Sequence, residues 1–179
     1  MTKFDLNTII HTDRLILQPV SDEFKFDIWR EFTTEVTKYM PFTPDGDIKV
    51  TENFIYRSNQ ELIDNKSIQF CILKKDSNEF LGVCGLHNYI DTKAVEIGLW
   101  LKINVHGIGY GTEVVRALII FAEKNLDIEY LFYPVDKDNK ASRNIPEKLN
   151  FFQATTYLKK KHDTQNLDII EYRKKKYGT

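Results

Sequence analysis

The chain is poor in the residues that would staple, anchor or link it. Two cysteines, Cys71 and Cys84, are too few for a disulfide scaffold. Both lie in apolar runs, where buried thiols of a reducing compartment are the simplest reading. No apolar run reaches the ~18 residues of a membrane-crossing helix, and no hydrophobic leader core opens the chain. A cytoplasmic protein without a membrane partner is therefore expected. Four scattered histidines lack ligand spacing, so no metal site is expected. A net charge of -1 excludes the broad positive footprint of a nucleic-acid binder. The basic runs at 159–161 and 173–176 read as solvated strand ends or tail. Linkers, low-complexity segments and fixed-period repeats are missing as well, so residues 1–179 are expected to form a single domain.

What is present fits an ordinary globular protein, with 42% hydrophobic and 28% charged residues. "RLILQPV" (14–20) alternates as a first strand. Ser21, followed by Asp22 and Glu23, reads as the N-cap of a helix of about a dozen residues. Turn chemistry in "YMPFTPDG" (39–46) precedes a second helix over roughly 47–64. Three strands follow, at 67–75, 79–90 and 94–103, close enough to form an antiparallel meander. Val114, Val115, Leu118, Ile119, Phe121 and Ala122 mark an amphipathic helix ending near Asn125. A strand at 129–135, a short helix at 139–149 and two final strands complete the chain. The expected fold is α/β (α+β), a mixed, mostly antiparallel sheet of about seven strands flanked by about four helices.

Of eight glycines, three fall in "VHGIGYG" at Gly107, Gly109 and Gly111, between a strand and a long helix. The first N–H groups of a helix lack intrahelical partners, and the macrodipole adds positive potential there. Alternate glycines let the backbone curl around an anion, although a bare turn needing positive φ would use them too. The Walker loop requires Lys after its last glycine, but Thr112 follows Gly111. The dinucleotide fingerprint requires a third glycine where Thr112 or Val114 stands. Neither nucleotide pattern fits.

"HGIGYG" resembles the pyrophosphate-binding motif Gln/Arg-x-x-Gly-x-Gly/Ala of the GNAT superfamily of N-acetyltransferases, with Gly109 and Gly111 at its glycines. "EIGLWL" upstream, "NKAS" after the next strand and "TDRLILQPV" near the start make the whole chain similar to the RimJ/RimL-type branch. Its members acetylate protein N-termini or small amines. The resemblance implies acetyl-CoA as co-substrate, with its pyrophosphate on the N–H groups around His106, Gly107, Ile108, Gly109, Tyr110, Gly111 and Thr112. It implies a pantetheine arm paired with the backbone at Leu99, Trp100 and Leu101. The motif's Gln or Arg is His106 here, which offers a hydrogen bond without permanent charge, so cofactor affinity would depend on pH. An acyl-CoA-binding domain without turnover is the alternative. Members are often dimers, so a homodimer is compatible with the resemblance.

Acetyl transfer to an amine needs a base for the ammonium and donors for the carbonyl oxygen, and a proton source helps the leaving thiolate. Glu96 lies in a strand apolar on both faces, where partial desolvation would raise its pKa. A salt-bridged structural glutamate is the competing reading, and the family pattern favours a base. Asn139 reads as an N-cap and Ser142 as a first-turn residue. The resemblance places Asn139 near the pantetheine and Ser142 near the sulfur. Relatives often carry a tyrosine acid four residues beyond that serine, where this chain has Pro146. Asn150 replaces a common glycine and is able to adopt the left-handed conformation. His87 ends a strand beside the expected acceptor cleft. Residues 20–65 carry ten acids against five bases, so either a cation-favouring cleft wall or solvated helix faces are expected.

Overall fold

Alternation in the central strands decides which side of the sheet receives each helix. In the computed structural model, which describes residues 4–89, 93–162 and 165–176, the strands are β1 (Ile10–His11), β2 (Leu15–Pro19), β3 (Ile68–Lys74), β4 (Phe80–His87), β5 (Ala94–Leu101), β6 (Tyr130–Asp136), β7 (Phe152–His162) and β8 (Gln165–Lys175). The helices are α1 (Lys25–Glu31), α2 (Ile48–Ile63), α3 (Tyr110–Asn125) and α4 (Lys140–Lys148). One sheet runs in the order β1-β2-β3-β4-β5-β6-β8-β7. Every neighbouring pair is antiparallel except β5 and β6, which are parallel.

On one face, Val114, Val115, Leu118 and Ala122 of α3 pack with Phe70, Ile72, Leu86, Ile97, Leu131 and Tyr133. On the other, Phe24, Ile28 and Ile55 pack with Cys71, Leu73, Phe80 and Val83. Cys71 and Cys84 are free, buried and in different clusters, on opposite faces of the sheet. Burial pushes both thiols upward, which keeps them protonated and inert. No helix among the described residues is long and apolar enough to cross a membrane.

The expected fold class holds, with two differences. The sheet has eight strands, because the two-residue β1 pairs Ile10 with Leu17 and His11 with Ile16. So short an element has no period to read; Thr12 holds it by accepting from the Leu15 N–H at 2.8 Å. The first helix is shorter than expected. Ser21 makes no side-chain cap, Asp22–Phe24 forms a 3-10 turn, and α1 stops at Glu31. The chain leaves helical geometry at Phe32, whose ring packs 5.2 Å from that of Trp100. Asp47, by contrast, caps α2 by accepting from the Lys49 N–H at 2.9 Å. Asn150 adopts the left-handed conformation, at φ 60°.

The α3 stripe should dominate stability. Leu118→Ala, at a fully buried position, is expected to cost about 2–5 kcal/mol in urea unfolding, with the m-value unchanged.

Candidate active site

Parallel pairing between β5 and β6 ends at Glu96 opposite Phe132. Beyond it, β5 keeps β4 as its only strand partner among the described residues, with pairs running to Leu101. The two parallel strands therefore open into a gap, and backbone groups at 97–101 on its β5 side are free of strand partners. Side chains of Leu99, Trp100, Tyr133, Asn139 and Ser142 border a cleft of about 870 Å³ that runs through this gap. The volume is in the range of small-molecule sites.

The glycine loop lies beyond the end of β5, where the chain turns into α3. Gly107 and Gly109 have φ of 78° and 90°, in the left-handed region that disfavours side chains. Gly109 is the N-cap of α3 and offers no side-chain oxygen, so the helix begins without a side-chain cap on its first N–H groups. Gly111 answers a different demand. A Cβ there would lie 2.8 Å from Ile145 Cδ1, so its absence lets α3 and α4 approach closely.

A clamp holds this loop to the start of the sheet. Arg14 Nη2 lies 2.7 Å from Glu113 Oε2, and Nε donates to the same oxygen at 2.7 Å. Glu113 Oε1 accepts from the Arg14 backbone N–H at 2.9 Å and from Thr12 Oγ1 at 2.6 Å. Arg14 Nη1 donates to the Ile108 carbonyl at 3.3 Å, and the guanidinium sits 4.5 Å from the centre of the Tyr110 ring. Burial alone would raise the Glu113 pKa, but these hydrogen bonds and the Arg14 charge outweigh it and hold the carboxyl below its usual range. His106 is exposed and turns back to the strand, its Nε2–H donating to the Leu101 carbonyl at 2.9 Å. That bond ties the loop to the end of β5.

Glu96 faces the cleft from β5, opposite His87 on β4. Burial raises its pKa above the ordinary value; Lys159 on β7 opposes this and Glu171 on β8 adds to it. Desolvation pushes His87 down to about 4, so the imidazole beside Glu96 is neutral at pH 7. Gly98 makes room for that ring, since a Cβ there would lie 2.8 Å from His87 Nε2. Trp29, Phe32, Met40, Phe42 and Trp100 supply apolar wall from α1, the loop after it and β5.

At the other side of the gap, Asn139 caps α4 by accepting from the Ser142 N–H at 3.2 Å. Ser142 Oγ lies 2.8 Å from Tyr133 Oη. Pro146 sits inside α4 and has no N–H, so the Ser142 carbonyl receives no intrahelical bond from it.

Of the residues marked from sequence, Glu96, Leu99, Trp100, Asn139 and Ser142 border the cleft; Leu101 and the loop from His106 to Thr112 do not line it, and of that loop Gly111 lies against Leu99 and Ile145. Of the ten acids in 20–65, only Asp45, Asp47 and Glu61 border the cleft; Glu52 pairs with Lys25, and Asp27 and Glu31 with Arg30. The basic runs are only partly solvated: Lys160 and Lys175 are exposed, whereas the others are partly buried. Lys159 borders the cleft, and Lys161 Nζ donates to the Thr37 and Lys38 carbonyls at 2.9 and 2.5 Å. Lys174 and Lys176 donate to the Leu149 and Leu126 carbonyls at the C-terminal ends of α4 and α3. β8, paired between β6 and β7, brings Lys174 and Lys176 beside these helix ends, whose partial negative charge attracts them. The roles of Arg14 and Lys159 escaped the sequence because their partners lie on distant elements, and that of Tyr133 because only the packing of α4 on β6 brings its hydroxyl to Ser142.

Residues 14–151 match the family model described as an acetyltransferase (GNAT) domain. A curated relative from Bacillus licheniformis, the uncharacterized N-acetyltransferase p20, is 30% identical over 146 residues, covering 79% of this chain and 81% of its own. The crystal structure of a GNAT-family acetyltransferase from Bacillus anthracis superposes with a TM-score of 0.83 at 17% identity, over 94% of this chain and 99% of that one. RimL, a ribosomal L7/L12 alpha-N-protein acetyltransferase in complex with coenzyme A, gives a TM-score of 0.83 at 18% identity, over 94% and 98%. At these identities the solved structures speak for the fold.

The clamp carries a pH signature. Because the Glu113 pKa is depressed on folding, its contribution is full above the unfolded value and is lost as pH falls through the folded one. The melting-temperature gap between wild type and Glu113→Gln should be largest above the ordinary glutamate value of 4.5 and narrow as pH falls below it.

Proposed function

The chain belongs to the GNAT family of acetyltransferases, and we propose that it moves an acetyl group from acetyl-CoA to a primary amine by direct attack. The acceptor is a protein or peptide N-terminus or a small amine. The observation that carries this reading is the gap between β5 and β6 leading to the uncapped start of α3. An extended arm with amide groups fits the open β5 edge, where backbone at Leu99, Trp100 and Leu101 pairs with it. A pyrophosphate fits the N–H groups from Gly107 to Thr112, where helix polarity favours negative charge. Asn139 borders the arm from α4, and His106 serves by fixing the loop to β5.

Glu96 is the base in this proposal. Its half-buried carboxylate lies in the cleft between the gap and the apolar wall, and its raised pKa brings its basicity nearer to that of its working range. It takes the proton of the incoming ammonium, directly or through water. A neutral His87 beside it adds no competing positive charge. Ser142, on the helix bordering the gap, protonates the leaving thiolate in this proposal. Trp29, Phe42 and Val50 are 44%, 63% and 46% exposed at the cleft mouth, so an acceptor with an apolar portion beside its amine fits best.

Two measurements test the reading. Acetyl-CoA at about 100 Kd should stabilise the protein by about 2.7 kcal/mol, whereas ATP and NAD should give no shift. Glu96→Gln should keep that shift while lowering kcat/KM about 100-fold. The acid limb of the wild-type profile should lie above the ordinary glutamate pKa of 4.5, because activity rises as the carboxylate forms. Full turnover by Glu96→Gln would remove the base assignment.

A further inference from the structure

A second hydroxyl reaches Ser142 from another element. Tyr133 leaves β6 on the face packed against α3 and α4, only 3% exposed, and its hydroxyl meets Ser142 Oγ at 2.8 Å on the border of the cleft. Among the described residues, Ser142 is the only hydrogen-bond partner of that phenol. The serine is held from its other side by the Asn139 cap, which fixes its backbone. One turn further along α4, Pro146 offers neither a hydroxyl nor an N–H. The helix thus lacks a phenol of its own, and the neighbouring strand supplies one at hydrogen-bonding distance.

We propose that Tyr133 and Ser142 form a two-hydroxyl relay that protonates the departing thiolate, a role that rests on the acetyl-transfer reading. As the tetrahedral intermediate collapses, the C–S bond breaks and its electron pair goes to sulfur. The Ser142 O–H bond breaks as its proton passes to that sulfur. The Tyr133 O–H bond breaks as its proton passes to Ser142 Oγ, so the serine oxygen never becomes an alkoxide. After the thiol departs, the phenolate left on Tyr133 takes a proton back from Ser142, whose oxygen takes one from water in the open cleft. Tyr133 acts through Ser142 and does not touch the sulfur, so it is a positioning residue that also supplies the proton.

Of the two hydroxyls, the phenol is the better proton source. A lone serine would have to carry the charge of an aliphatic alkoxide, comparable with that of bulk water near pKa ~15.7. Burial pushes the Tyr133 phenol up to about 12, with the Ser142 hydrogen bond pulling the other way, so it remains the better acid of the two.

The test uses the full chain in a thiol-release assay with acetyl-CoA and its best amine, comparing Tyr133→Phe, Ser142→Ala and the double variant. The relay predicts that each single variant lowers kcat about 10- to 100-fold. The double variant should lose no more than the worse single one, because residues acting as a unit are not additive. KM for acetyl-CoA and the acetyl-CoA thermal shift should stay at wild-type values in all three. Rates are compared at a temperature where the melting curve of Tyr133→Phe shows it fully folded, so its kcat reads the relay rather than a loss of stability. Wild-type kcat in Tyr133→Phe, or losses that multiply in the double variant, would overturn the relay and leave acetyl transfer standing. A wild-type protein that neither binds acetyl-CoA nor releases thiol would instead overturn the acetyl-transfer reading, and the relay with it.

Discussion

Peptide groups have to find hydrogen-bond partners, and the sheet leaves those of β5 beyond Glu96 with a partner strand on one side only. Most features of the cleft follow from that break in pairing. Parallel strands need a crossover connection, here the glycine loop and α3, and the crossover brings the positive end of a helix to the gap. The same divergence lets α4 border the space that a continued ladder would have filled. Its Ser142 and the Tyr133 hydroxyl of β6 then meet at one side, while Glu96 stands at the last paired position.

The loop at the head of α3 is held by ionic and aromatic contacts rather than by its own sequence. Gly107 and Gly109 give it the required backbone shape but no rigidity. Rigidity comes from Arg14, which reaches Glu113, the Ile108 carbonyl and the Tyr110 ring at once, and from His106 on the Leu101 carbonyl. The carboxylate of Glu113 sits in the first turn of the helix, yet its charge is matched by Arg14 and its oxygens are occupied. An anion arriving at the helix start therefore meets N–H groups rather than an uncompensated carboxylate.

Local chemistry made much of this legible in the sequence. The meander of β3, β4 and β5 shows in apolar runs broken by turn residues, α3 in its 3.6-residue stripe, and the loop in its glycine spacing. Glu96 stood out because a carboxylate in a central strand needs a reason. What stayed hidden depends on contacts between distant segments. Thr12 and Glu113 are 101 residues apart, and no pattern in either neighbourhood announces their bond. Tyr133 reads as one more strand aromatic until α4 brings Ser142 beside it. The length of α1 is not legible, because Ser21 resembles a cap but makes no capping bond, and the helix ends at Phe32, whose ring meets that of Trp100. The lysines of β7 and β8 look like a charged tail, yet several are fasteners, since only the folded sheet sets them beside backbone carbonyls.

The contact allowed by Gly111 has a metric consequence. Its bare backbone lets Ile145 of α4 press against the first turn of α3, and Ser142 lies one turn before Ile145 on the same helix. Under the acetyl-transfer reading, one helix receives the pyrophosphate and the other faces the thioester of the same molecule. If that reading holds, their direct contact sets the distance between the two ends of the carrier by packing rather than by flexible loops. A shorter acyl carrier lacking the pyrophosphate would then place its thioester without an anchor at the far end.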